Sequence, residues 1–127
     1  MSSTSMAVAK KILILEDDSE SRLLYEEILN GENFTTVGAQ DGRAALECLD
    51  SEKELPDIIL MDLTFPLMTA EEFVSAVRSN QRYKDIPLLV ISGHVDTEER
   101  AQALKANGFL KKPFDIDQLI DSINKAL

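Results

Sequence analysis

The side chains in this sequence that could do chemistry stand at the ends of short apolar runs. Glu16 and Asp17 follow Lys11-Ile-Leu-Ile-Leu15, Asp62 follows Ile58-Ile-Leu-Met61, Ser92 follows Leu88-Leu-Val-Ile91, and Lys112 comes just after Phe109-Leu110. Three carboxylates drawn into one place repel one another and raise one another's pKa unless a divalent cation neutralises them. A ligand set of oxygens, without Cys or His, selects a hard ion, and a site with few protein ligands that keeps its waters suits Mg²⁺ better than Ca²⁺. A carboxylate beside such a cation can attack phosphorus, provided that the oxygens of the transferred group are stabilised. The metal, the Lys112 ammonium, and the Ser92 hydroxyl with a backbone N–H could each take one of those oxygens. Asp62 is then the nucleophile, because it stands alone on its strand while the adjacent Glu16 and Asp17 are better placed to hold metal. Taken singly, these residues also have plainer readings: Glu16 to Asp18 as the cap of the next helix, Ser92 as a cap, Lys112 as a solvated charge.

The elements that must position these groups alternate along the chain. Lys11–Leu15 reads as a strand buried on both faces. Ser19 opens a helix with Leu23, Leu24, Ile28 and Leu29 on one side and Gly31 as its stop. A weaker strand, Phe34–Ala39, leads through Asp41-Gly42 to a helix over Arg43–Leu49. After Pro56 comes the Ile58–Met61 strand, and Thr69-Ala-Glu-Glu72 has capping-box spacing before a helix that buries Phe73, Val74 and Val77. The Leu88–Ile91 strand ends at Ser92-Gly93, and Asp96 or Thr97 caps a fourth helix through Leu104. Phe109-Leu110 gives a short fifth strand, and the Ile116–Leu127 helix places Ile116, Leu119, Ile120 and Ile123 on one face. Strict alternation of apolar strands and helices predicts an α/β fold, a five-stranded parallel sheet with helices on both faces. In such sheets ligands bind beyond the carboxyl ends of the strands, near the point where strand order reverses.

Composition narrows the classes. The 127 residues fit one domain, with 44% hydrophobic content, over residues 10–127 once the Ser-rich stretch 1–9 is set aside as a disordered tail. A formal charge of −10 argues against a nucleic-acid footprint, which needs clustered Lys and Arg. No run reaches the roughly 18 apolar residues of a membrane span, and the N-terminus lacks a signal peptide's apolar region. The lone Cys48 cannot form an internal disulfide and reads as a buried thiol, which makes the reducing cytoplasm the expected location.

From Lys11 to Leu127 the chain resembles the receiver domains of two-component response regulators. The marks are Ile12-Leu-Ile-Leu-Glu16-Asp17-Asp18, Asp57-Ile-Ile-Leu-Met-Asp62-Leu-Thr-Phe-Pro66-Leu-Met68, Ile91-Ser92-Gly93 and Gly108-Phe-Leu-Lys-Lys112-Pro113-Phe114, in order and at the right strand ends. The resemblance implies the flavodoxin-like strand order 2-1-3-4-5 and transfer of a phosphoryl group to Asp62 from a histidine kinase or a His-containing phosphotransfer protein. It implies that Asp17, Asp62 and the Thr64 backbone carbonyl hold Mg²⁺ directly, Glu16 through a metal-bound water, and that Asp18 stands outside the site. On phosphorylation Ser92 is expected to move inward and Phe109 to rotate into the space released, while a cis peptide before Pro113 fixes the loop that aims Lys112. Such a protein is a switch that assists its own phosphorylation and dephosphorylation rather than an enzyme, either a monomer or a weak phosphorylation-dependent dimer. With nothing after Leu127 to serve as an output domain, the reading is a stand-alone receiver acting through an unidentified downstream effector protein.

Three departures from the family pattern stand out. Phe65 replaces the usual Met, Thr69 the usual Gly, and the Ala106-Asn107-Gly108 connection is shorter than usual on the common partner-binding face. His94, the sole histidine, reads as a modulator of access to the site, with no orienting partner evident. Three other functions are weighed against the switch. A Mg²⁺-dependent aspartyl phosphohydrolase needs a second acid two residues after the nucleophile, where Thr64 stands. A flavin protein needs Ser, Thr and Gly rather than acids after the first strand. A pseudo-receiver, binding partners independently of phosphate, is left open.

Overall fold

The computed structural model describes residues 9–51 and 53–127, so the tail expected over residues 1–9 falls outside the described residues except for Ala9. Five strands, β1 (Lys11–Leu15), β2 (Thr35–Ala39), β3 (Ile58–Asp62), β4 (Leu88–Ser92) and β5 (Gly108–Lys111), form one parallel sheet in the order β2-β1-β3-β4-β5. The helices α1 (Ser19–Gly31), α2 (Gly42–Ser51), α3 (Ala70–Ser79), α4 (Thr97–Ala103) and α5 (Ile116–Ala126) alternate with them. The doubly wound α/β fold expected from the alternation is therefore the fold observed.

Side chains alternate across a strand, so each central strand feeds two cores. Leu13, Leu15, Ile59, Met61, Leu88 and Val90 meet α2, α3 and α4 on one face. Ile12, Ile14, Ile58, Leu60, Leu89 and Ile91 meet α1 and α5 on the other. Since α1 and α2 leave by opposite faces, the strand order reverses between β1 and β3, and the carboxyl ends of those two strands flank a crevice.

Some expectations about helix faces are corrected. Leu23 and Leu24 are 58% and 53% exposed, whereas Tyr25 and Leu29 are buried with Ile28 packed beside them. The core stripe of α1 thus runs through residues 25, 28 and 29 at helical spacing, with Tyr25 stacked on Phe114. Ile116 is likewise exposed at the start of α5, and Leu119 and Ile123 carry its core face. Cys48 is half-buried rather than fully enclosed. At α4 the Asp96 side chain makes no cap bond, and it is the buried Thr97 hydroxyl that donates to the His94 carbonyl at 2.6 Å.

The family departures have local explanations. Thr69, in place of Gly, closes a full capping box with Glu72: its Oγ1 accepts the Glu72 N–H at 3.0 Å and its own N–H donates to Glu72 Oε1 at 2.9 Å. Phe65 turns inward and packs edge-on against Phe73, ring centroids 6.2 Å apart. The short α4–β5 connection is fastened through Asn107, whose Oδ1 accepts the Leu88 N–H and whose N–H donates to the Leu88 carbonyl, each at 2.8 Å.

Candidate functional site

The site grows out of ladders that outrun their strands by one residue. Past β1, the Glu16 N–H donates to the Ala39 carbonyl at 3.0 Å, and past β5 the Lys112 N–H donates to the Ser92 carbonyl at 2.8 Å. Arg22 of α1 adds a third tie, donating from Nη1 to the Glu16 carbonyl at 2.7 Å. Asp62 ends β3 opposite Ile91, and its Oδ1 accepts the Leu63 N–H at 2.6 Å.

These ties resolve the three consecutive acids. Asp18 caps α1, its Oδ2 accepting from the Ser21 N–H at 2.9 Å and the Ser21 hydroxyl at 2.6 Å, which holds its carboxyl below the ordinary range. Glu16 and Asp17 turn instead toward Asp62, and one oxygen from each of the three lies within 4.8 Å of the others. The capping and clustering readings both hold, for different residues.

Lys112 reaches into this cluster from the far edge of the sheet. Its Nζ donates to Asp62 Oδ2 at 3.0 Å and to Glu16 Oε1 at 3.2 Å. Burial disfavours the ammonium, but the hydrogen bond and charge of Asp62, helped by Tyr25 and Glu16, outweigh it and hold its pKa above the ordinary lysine value. Glu16 is 2% exposed, and burial pushes its carboxyl up, as does the Asp62 charge, against the opposing Asp18 N–H and Lys112. Three carboxylates against one ammonium leave a formal charge of −2, all on oxygen donors, which fits a hard divalent cation.

Ser92 is fully buried at the end of β4, and its Oγ accepts the His94 N–H at 3.0 Å. Thr64, two residues past Asp62, is exposed, and its Oγ1 lies 3.2 Å from His94 Nε2 in a hydrogen bond. His94, expected to lack an orienting partner, therefore has one, from a segment thirty positions earlier in the chain. Phe109 stands apart from the cluster, on β5 beside Val90, and is 36% exposed. The Lys112–Pro113 peptide is cis, as the resemblance implies. Sequence reasoning overlooked Arg22 and Tyr25. The spacing of Tyr25, Ile28 and Leu29 could have exposed the second, since a tyrosine in a core stripe brings a polar group that needs a partner.

A doubly wound parallel sheet with a carboxylate cluster and a lysine beyond β1, β3 and β5 at its reversal point defines a receiver-like α/β protein. The chain belongs to the response regulator receiver domain family, whose pattern it matches over residues 12–124, and so to the two-component phosphorelay systems. It is 31% identical over 118 residues to sporulation initiation phosphotransferase F of Bacillus subtilis, covering 93% of this chain and 94% of that one. To the chemotaxis protein CheY of Pseudomonas aeruginosa it is 34% identical over 118 residues, covering 91% and 94%. The solved structure of the chemotaxis response regulator CheY4 of Vibrio cholerae superposes with a TM-score of 0.85 at 30% identity, over 94% of this chain and 99% of that one. Among the described residues no helix is long and apolar enough to cross a membrane.

Proposed function

We propose that Asp62 accepts a phosphoryl group from a phosphohistidine of a histidine kinase or phosphotransfer protein, and that the modified chain changes its affinity for a downstream protein in the cytoplasm. The observation that carries this reading is the Lys112 ammonium held at 3.0 Å from Asp62 Oδ2, beside a cluster with the charge and donor chemistry for Mg²⁺. Asp17, Asp62 and the Thr64 carbonyl would hold the ion, with Glu16 acting through water. When bound, the cation neutralises the carboxylates and one phosphoryl oxygen, which makes attack by an anion feasible.

The chain's own groups do the rest. An Asp62 carboxylate oxygen forms a bond to phosphorus as the phosphorus–nitrogen bond breaks, and the departing imidazole keeps the electron pair. Lys112 offers N–H groups to the developing charge. The Ser92 hydroxyl accepts from His94 N–H and so keeps its own proton free to donate to another phosphoryl oxygen. The added phosphoryl carries a charge of about −1.5 to −2, enough to draw Ser92 and the turn behind it inward. The exposed Phe109 ring then has apolar area to bury by turning into the space, which couples Asp62 to the face of α4, β5 and α5. Pro113 fixes the loop that carries Lys112.

The test is intact-mass measurement after incubation with Mg²⁺ and acetyl phosphate, or with beryllofluoride, using Asp62→Asn as control. With acetyl phosphate wild type gains the mass of one phosphoryl group, with beryllofluoride it forms the metal-dependent complex, and the variant does neither. Equal gain by the variant would move the acceptor elsewhere, and partner binding that persists without any modification would favour the pseudo-receiver.

A further inference from the structure

The function proposed above gives no part to Arg22, which holds both ends of the turn that presents Asp17. Its backbone N–H donates to the Asp18 carbonyl at 2.9 Å, and its Nη1 donates to the Glu16 carbonyl at 2.7 Å. The carbonyls of the two residues beside Asp17 thus both accept from one residue of α1. A peptide unit is planar, so the direction of the Glu16 carbonyl also fixes that of the Asp17 nitrogen. On the other side the Asp18 N–H donates to Glu16 Oε2 at 3.1 Å. Asp17 itself is exposed, and among the described residues no hydrogen bond or ion pair holds its carboxylate. Its approach to Glu16 and Asp62 is therefore set by the two peptide units that flank it.

The Arg22 stem reaches Glu16 by crossing β2 where that strand has no side chain. A Cβ on Gly38 would lie 3.0 Å from Arg22 Cδ, 3.4 Å from its Cγ and 3.2 Å from Glu26 Oε1, inside the ordinary carbon contact of about 3.5 to 4 Å. Gly38 does not have a positive φ, so what it supplies is close approach of the stem to the backbone. Its neighbour Ala39 accepts the Glu16 N–H at 3.0 Å, so β2 and Arg22 grip the same residue from two sides. We propose that Arg22 is a positioning residue for the acidic pair: seated on Gly38, it clamps the Glu16–Asp18 turn and so holds the Asp17 carboxylate toward Glu16 and Asp62 for Mg²⁺. A guanidinium suits the task, since it stays charged and presents directed N–H groups at the end of a long stem. This inference rests on the reading of Glu16, Asp17 and Asp62 as a Mg²⁺ site.

Charge and position make opposite demands on the test. Removing a cation beside three carboxylates should, by charge alone, tighten Mg²⁺ binding. Arg22→Met, which keeps the stem and loses the guanidinium, is expected instead to weaken it by about tenfold, the low end for a group that orients a metal ligand because it acts through the backbone. Gly38→Ala lifts the stem and keeps every polar group, so it is expected to weaken binding by about twofold, the bond being lengthened rather than lost. In an Arg22→Met background it should have no further effect on binding. The readouts are amide shifts of Asp17 and Asp62 against added MgCl₂, and the Glu16 carbonyl carbon and Asp17 nitrogen signals of the metal-free protein. Affinity in Arg22→Met equal to or tighter than wild type overturns the proposal, as does an equal loss from Gly38→Ala in both backgrounds. If Arg22→Met does not fold, Gly38→Ala decides alone, and wild-type affinity there overturns the proposal. Should wild type itself bind no Mg²⁺, the reading of the cluster falls; unmoved Glu16 and Asp17 signals in Arg22→Met would then also remove the clamp, and displaced ones would retain it.

Discussion

Replacing Gly42 with alanine is expected to change the sign of its effect with the identity of residue 68. Gly42 opens α2 under a cap from Asp41, whose Oδ1 accepts the Ala44 N–H at 2.7 Å, and it does not have a positive φ, so the backbone itself tolerates alanine. The obstacle is space. A Cβ there would lie 2.4 Å from Met68 Cγ, 2.5 Å from its Sδ and 3.1 Å from Phe65 Cε1, against an ordinary carbon contact of about 3.5 to 4 Å. Overpacking of this kind costs about 1 to 3 kcal/mol. The lower half of that range applies, because Met68 is only half-buried and its unbranched chain can swing. Against it stands a gain of up to about 1 kcal/mol from better helix propensity and a stiffer unfolded chain. Gly42→Ala should therefore lose about 1 kcal/mol in wild type, yet be neutral or slightly stabilising in a Met68→Ala background, a coupling of about 1 to 2 kcal/mol. Urea unfolding of the four proteins, with unchanged m-values, measures it. The single variant also pushes on the loop that carries Thr64, so its Mg²⁺ affinity should fall and recover in the double variant. An equal loss of stability in both backgrounds would refute the steric account.

Two further outcomes follow from the geometry. Lys112 has a folded-state pKa raised above the ordinary 10.5, so with its carboxylate partners ionised its ion pairs contribute fully below that pH and are lost as pH rises past it; the stability difference between wild type and Lys112→Gln should accordingly shrink in urea titrations above pH 10.5 and stay constant from there down to neutral pH. Tyr83 is buried and donates from its hydroxyl to Asp50 Oδ1, so Tyr83→Phe should destabilise by about 1.5 kcal/mol, the low end for a bond to a charged group because the exposed Asp50 regains water; unaltered urea midpoints would show that the bond adds nothing.

The strands and the cluster Glu16, Asp17, Asp62 and Lys112 were legible in the bare chain because each apolar run is a local signal and each ends on a chemically distinct residue, whereas the strand order came only with the resemblance to receiver domains. Helix alternation then places those ends along one edge of a sheet, whatever the details of packing. Rotation of the helices was not legible: Leu23 and Leu24 fit an apolar side of α1 as well as Tyr25 does, until Phe114, near the other end of the chain, selects the face with the tyrosine. Of the three adjacent acids, only the resemblance set Asp18 apart from Glu16 and Asp17, and its role as the cap of α1 came with the fold. Lys112 finds Glu16 across 96 positions and Asp62 across 50, and the Ser92 hydroxyl turns to His94, itself held by Thr64. Periodicity reports which residues leave water, but hydrogen bonds of 3 Å depend on register and on packing between segments far apart in the chain, and those exist only once the sheet has closed.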